Sequence, residues 1–266
     1  GEAVHRFVDM QYSTYNRSLL PQLEQNGLVI VRNHEELTQE EGKYSDRYFN
    51  EFVYPVLTPM AVDSSRPFPL IRNKTLNIGA LVRKKGGDED LDFATVQVPD
   101  VIPRILELPV EEGQPRKLIL LEEIIVRNMS KLFLNYDIIC CNPFRVGRNA
   151  DLSIDEDEAE DLLKEIEKQL KKRQWGQAIR LEVENSVDKR LLKVIAQELC
   201  VDETEIYRID GPLDLTFLMK LYKLEGFDRL KEHAYSSPQS VPELPADCDI
   251  FEEIRKGDIL MHHPYQ

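Results

Sequence analysis

Pro143-Phe-Arg-Val-Gly-Arg-Asn-Ala-Asp-Leu-Ser-Ile154 closes an apolar, strand-like run begun at Asp137 and feeds into an acidic helix start, Asp155-Glu-Asp-Glu158. A strand that ends in glycine and arginine and turns into a helix presents cationic groups toward an anion. A helix N-terminus attracts anions too, through its exposed N–H groups and its dipole. Here carboxylates already fill that position. Arg145, Arg148 and Asn149 are therefore candidate contacts for an external phosphate. The competing reading pairs the two arginines with Asp151, Asp155 or Glu156, and the spacing favours that internal pairing.

Downstream, Glu156–Arg173 has its apolar residues Ala159, Leu162, Leu163, Ile166 and Leu170 on one helical face. Acids crowd its first turns and Lys171-Lys-Arg173 its last, which matches the macrodipole. Ala178-Ile-Arg-Leu-Glu-Val-Glu184 alternates with period two, so Ile179, Leu181 and Val183 are expected inside and Arg180, Glu182 and Glu184 outside. A helix near Asp188–Leu199, a strand at Ile206–Ile209 and a helix over about Leu213–Tyr222 follow. Ser236–Pro245, rich in serine and proline, reads as a mobile loop before a short helix at Ile250–Lys256.

Upstream, the first fifty residues read as mainly helical. Gly27 suits a helix C-cap, and Leu28–Val31 is a short strand or an extended connector. Thr38-Gln-Glu-Glu41 forms a capping box before a helix carrying Tyr44, Tyr48, Phe49 and Phe52, a stripe assigned to core or interdomain packing. Pro55, Thr58-Pro59 and Arg66-Pro-Phe-Pro69 punctuate a rigid connection. Strands follow at Leu76–Val82, Phe93–Val98 and Lys117–Leu120, then a helix over about Glu122–Phe133. Asp137–Cys141 and Phe144–Val146 make the next extended segment. Strands and helices interleave with hairpins, which predicts an α+β (mixed α/β) fold. Two strand–helix halves about Asn149 suggest a weak internal duplication.

The 266 residues, 42% of them apolar, suffice for one large domain or two modest ones. A net charge of −14 repels nucleic acid and anionic membranes, so neither is an expected partner. Four cysteines without a Cys-x-x-Cys pair read as free thiols of a reducing, cytoplasmic setting, not as zinc ligands or disulfides. No apolar run approaches the ~18 residues that span a bilayer. Neither a Gly-x-x-x-x-Gly-Lys-Ser/Thr loop nor a Gly-x-Gly-x-x-Gly run occurs. His262 and His263 are adjacent and point oppositely on an extended chain, so they do not converge on a metal.

Phe144-Arg-Val-Gly-Arg-Asn-Ala-Asp151 resembles the Phe-Arg-Val-Thr-Arg-Asn-Ala-Asp run of the polyphosphate kinase family. Pro55-Val-Leu-Thr-Pro-Met-Ala-Val-Asp63 with Arg66-Pro-Phe-Pro69, then Ala178–Glu184, Asp210-Gly-Pro-Leu-Asp-Leu215 and Asp258-Ile-Leu-Met-His-His-Pro-Tyr265, resemble further blocks of that family in the same order. Together they span about four-fifths of the chain. Gly147 stands where the family usually has Thr, which removes a hydroxyl from that position.

The resemblance implies a fragment. Residues 1–53 would be the C-terminal part of an all-α N-terminal domain, and 54–266 the α+β middle (head) domain. It implies an enzyme that reversibly passes the terminal phosphate of ATP, with Mg²⁺, to a histidine and then to a polyphosphate chain. That histidine lies in a C-terminal catalytic region, and no His-x-Lys element occurs among the five histidines here. The isolated chain is thus expected to be inactive, with no catalytic or metal-binding residue and no cofactor of its own. The implied partners are the catalytic region, polyphosphate (with Arg145, Arg148 and Asn149 as candidate contacts) and a second copy in a homo-oligomer. A dimerisation or polyphosphate-binding module without catalysis is the alternative.

Overall fold

The computed structural model describes residues 2–62, 67–87, 89–149, 176–233 and 247–258. The helix expected over Glu156–Arg173, the residues Arg66, Asp151 and Asp155, the Ser236–Pro245 loop and the His262-His263 pair lie outside these residues. Two compact units divide between Phe217 and Leu218.

In the first unit, helix α1 (Glu2–Thr14) runs through a π-helical turn (Tyr15–Leu19) into α2 (Leu20–Gln25). Gly27, at φ +84°, ends it in the left-handed conformation that glycine adopts without a Cβ penalty. Strand β1 (Leu28–Ile30) follows, where a short strand or connector is expected. Helix α3 (Gln39–Tyr48) starts with the expected capping box: Thr38 Oγ1 accepts from Glu41 N–H, and a Glu41 carboxylate oxygen accepts from Thr38 N–H. Its aromatic stripe divides. Phe49 is fully buried, whereas Phe52 is 57% exposed.

The strands after it are β2 (Met60–Val62), β3 (Leu76–Lys84), β4 (Asp92–Gln97), β5 (Ile105–Leu108) and β6 (Arg116–Leu120). The helix expected near Glu122–Phe133 is two pieces, α4 (Leu121–Arg127) and α5 (Met129–Leu132). Between them Asn128 leaves helical geometry and donates its side-chain amide to the Ile124 carbonyl, a local bond that competes with the backbone ladder. The two extended pieces around Pro143 are one strand, β7 (Tyr136–Arg148). Then come β8 (Ala178–Glu184), helix α6 (Lys189–Leu199) and β9 (Ile206–Ile209).

Two sheets result, β1-β6-β5 and β2-β4-β3-β7-β8-β9, each mixing parallel and antiparallel pairs. On one face of the six-stranded sheet, Phe144, Val146, Leu181 and Val183 pack with Leu191, Ile195 and Leu199 of α6. Full burial of each such side chain is worth ~1.5–3 kcal/mol. The close approach of α6 needs Gly79, where a Cβ would stand 3.1 Å from the Phe144 ring and 3.3 Å from Ile195 Cδ1.

Alternation in β8 departs from expectation at one point. Arg148 pairs with Ala178 and Gly147 with Arg180, so Ile179 is the extra residue of a bulge. Ala178 therefore takes the inward position, and Ile179 is 48% exposed. Glu182, expected outside, is only 5% exposed, because its face of the sheet is covered by protein rather than water.

The second unit contains α7 (Leu218–Leu221), a 3₁₀ turn at Asp228–Leu230 and α8 (Ile250–Lys256). Lys231 Nζ ties its loop together by donating to the Leu224 carbonyl and to Asp228.

Candidate functional site

Strand parity decides what the two arginines can do. Arg148 shares the face of Phe144 and Val146, and Arg145 lies on the opposite face. Arg148 Nε donates to the Ile71 carbonyl at 2.8 Å and Nη1 to the Gly176 carbonyl at 2.9 Å. Its backbone N–H donates to Asn73 Oδ1. The neighbouring Asn149 N–H donates to the Gln177 carbonyl, so this pair joins the end of β7 to the residues that lead into β8.

Arg145 enters a different set of partners. Its Nη1 lies 3.2 Å from Glu182 Oε2 and its Nη2 3.8 Å from Asp214 Oδ2, while Nε donates to the Lys74 carbonyl. Glu182 also accepts from Arg180 Nε at 2.7 Å, and the Arg180 guanidinium lies 4.0 Å over the Tyr207 ring. Asp214 reaches Arg104 Nη1 at 4.0 Å, and Arg104 pairs with Glu122 at 2.6 Å. Arg104 further donates to the Leu213 and Asp214 carbonyls and sits over the Phe217 ring.

Glu122, Arg104, Asp214, Arg145, Glu182 and Arg180 thus form a ladder of alternating sign. The partners weighed for Arg145 from sequence, Asp151, Asp155 and Glu156, lie outside the described residues; within them Arg145 pairs with Glu182 and Asp214. Arg104 and Glu122 belong to no motif read from the sequence. Asp214 sits in the Asp210–Leu215 block at φ +59°, a conformation uncommon for non-glycine residues. Its place opposite two arginines accounts for holding that turn.

The N-terminal helix closes over this face. Tyr12 Oη donates to the Pro212 carbonyl at 2.7 Å, and Asn16 Nδ2 donates to the Asp210 carbonyl. His5 Nε2 lies 2.9 Å from the Thr204 carbonyl, and its ring stacks on Tyr207 at 4.0 Å. Burial, with Glu182 nearby, holds the Tyr12 phenol well above its ordinary range.

A cleft of about 300 Å³ lies where the carboxyl ends of β1, β6, β8 and β9 meet. Tyr15, Asn16 and Leu20 line it from the N-terminal helix, Glu123 from α4, and Glu184 and Asp210 from the strand ends. Burial raises Glu123 to about 7, with Glu122, Glu36 and Glu35 adding to the push against a hydrogen bond from the His34 N–H. Burial likewise raises Glu184 to about 8, helped by Glu123 and Glu122. The Cys141 thiol, on the same face, is pushed up to about 12. All four cysteines are free thiols. Among the described residues no group of three or more His, Cys, Asp or Glu side chains is placed to hold a metal ion, and no helix is long and apolar enough to cross a membrane.

Residues 40–221 match the model of the polyphosphate kinase middle domain. Polyphosphate kinase of Halalkalibacterium halodurans is 41% identical over 269 residues, which cover 100% of this chain and 38% of that protein. The enzyme of that name from Lactiplantibacillus plantarum is 45% identical, with 100% and 36% covered. The crystal structure of polyphosphate kinase from Porphyromonas gingivalis superposes with a TM-score of 0.76 at 25% identity, covering 99% of this chain and 37% of that one. The chain therefore spans less than two-fifths of the length of these relatives.

Proposed function

Because this chain belongs to the polyphosphate kinase family and carries its middle domain, we propose that it serves as the scaffold of a phosphotransferase that moves the terminal phosphate of ATP reversibly through a histidine to polyphosphate. The observation that carries the scaffold reading is the ladder. Arg104, Arg145 and Arg180 each spend their charge on Glu122, Asp214 or Glu182 within the chain, so these guanidiniums are already neutralised. A phosphate arriving at Arg145 would have to displace two carboxylates.

ATP and Mg²⁺ are assigned, in this reading, to the further catalytic region that the resemblance implies. Neutralising a polyanion and splitting the displacement through a histidine is chemistry that a further catalytic region would supply. What these residues do is fix the six-stranded sheet, the Asp210–Leu215 turn and the N-terminal helix as one platform for that region and for a second copy.

Incubating the purified chain with γ-labelled ATP and Mg²⁺ tests the reading. No acid-labile phosphohistidine is expected, and its appearance would overturn the scaffold assignment. In a full-length relative, Asp214→Asn is expected to lower thermal stability and leave KM for ATP and polyphosphate unchanged. A KM effect without a stability effect would favour direct substrate contact.

A further inference from the structure

The N-terminal helix is held to the body by three hydrogen bonds to one short stretch. His5 reaches the Thr204 carbonyl, Asn16 the Asp210 carbonyl and Tyr12 the Pro212 carbonyl. Beyond them the same helix roofs the cleft with Tyr15, Asn16 and Leu20. The opposite wall carries two carboxylates from separate elements, Glu123 of α4 and Glu184 at the end of β8. Both are half-buried in the cleft, and lifting the helix would open them further to water.

We infer that docking of the N-terminal helix is coupled to proton binding in the cleft: the helix seats over Glu123 and Glu184 when they are neutral and loosens when they ionise.

The surrounding charges favour this. Glu122 on α4 is already satisfied by Arg104. The turn at 34–36 brings Glu35 and Glu36, both of which oppose ionisation of Glu123, and contributes one backbone N–H as a donor. The His34 ring keeps Nδ1 buried without a partner and does not offset the acids. From β7 the Cys141 thiol faces the pair, and Asp210 adds a further acid to the lining. Arg32 is the cation of the lining and is exposed to solvent, and Tyr15 comes from the helix itself.

The sign follows from linkage. With the helix seated, both carboxyls hold their protons to about pH 7 and 8, against an ordinary glutamate value of 4.5. Solvated, they release them near that lower value. The seated state therefore binds more protons over the whole interval. Docking is strongest below the lower value and weakens as pH rises through the upper ones.

Pulsed hydrogen exchange on the 266-residue chain, corrected for intrinsic rates, tests this in peptides spanning residues 8–20. Protection there is expected to fall about tenfold or more between pH 6 and 9, while β3 peptides stay constant. Glu123→Gln/Glu184→Gln, which mimics the protonated pair, is expected to flatten the profile, and either single change to reduce it. A flat wild-type profile overturns the inference. So does an unchanged fall in the double variant, which would assign the effect to a group other than this pair.

Discussion

Arg145 and Glu182 stand directly opposite each other on β7 and β8, with Nη1 3.2 Å from Oε2, and Glu182 is shared with Arg180 at 2.7 Å. One buried carboxylate thus bridges two guanidiniums, with Asp214 as the second partner of Arg145. Removing it leaves two like charges in a poorly hydrated layer, whereas removing the cluster together relieves them. Glu182→Ala is expected to destabilise the chain by about 3 kcal/mol or more. Urea denaturation should show that Glu182→Leu combined with Arg145→Leu and Arg180→Leu recovers most of the loss. A loss below about 1 kcal/mol for Glu182→Ala would place the ladder among ordinary surface pairs.

Gly147 faces Arg180 across the strands, and a Cβ there would lie 3.1 Å from Arg180 Cβ. Arg180 has little room to yield, being held between Glu182 and the Tyr207 ring. Gly147→Thr, the residue usual in the family, is expected to cost about 1 kcal/mol in this chain. In a double-mutant cycle the cost should vanish on an Arg180→Gly background, which removes that Cβ. Equal costs on both backgrounds would show that the two positions do not compete.

Much of this fold could be read from sequence because its signals are local. The Thr38–Glu41 box, the strand at Leu76–Val82 and the helix near Asp188–Leu199 each depend on neighbours within one element, although the alternation of Leu76–Val82 implied one covered face and both of its faces are buried. The ladder could not be read so. Arg104 meets Glu122 across 18 positions and the Asp214 carbonyl across 110, and no periodicity encodes such a meeting. Ile179 was misplaced for a related reason: the bulge that turns it outward is a property of its pairing with β7, invisible in β8 alone. The four-residue β5, lying between Pro103 and Pro109, gave too short a pattern to register.

The capping box is tied to the smaller sheet, because Glu41 accepts from Lys117 Nζ at 2.7 Å as well as from Thr38 N–H. Burial pushes the Glu41 carboxyl up, but these bonds outweigh it and hold the group below the usual range. The stability it adds is therefore present at neutral pH and is lost on acidification through that lowered value. Thr38→Ala is expected to cost about 1 kcal/mol, or ~2–4 °C in Tm. Glu41→Gln should cost more at pH 7 and progressively less toward pH 3. A pH-independent cost for Glu41→Gln would deny the linkage.

The adjacent thiols should differ in reactivity. Cys141 is half-buried beside Glu123 and Glu184, and Cys140 lies on the other face near Asp188 and Arg190. Cys200 is exposed at the C-terminus of α6. Native alkylation at pH 8, mapped by mass spectrometry, is expected to label Cys200 first and Cys141 last. Early labelling of Cys141 would mean that its layer opens readily.

Arg148 and Arg145 project from opposite faces of β7, so they do not close on one phosphate. Arg148 instead spans the Ile71 and Gly176 carbonyls, fastening the strand end to two separate stretches of backbone. With a net charge of −14 the chain repels a polyanion at long range, and a grip would need several guanidiniums acting together. Arg148→Ala is therefore expected to lower Tm by a few degrees, since it leaves the carbonyls of Ile71 and Gly176 without their donor. Retention of end-labelled polyphosphate, followed across a salt series, should be weak and unchanged by Arg148→Ala, by Arg145→Ala or by both. Salt-sensitive retention that either substitution weakens, and that the double variant abolishes, would instead make this strand end a polyanion contact.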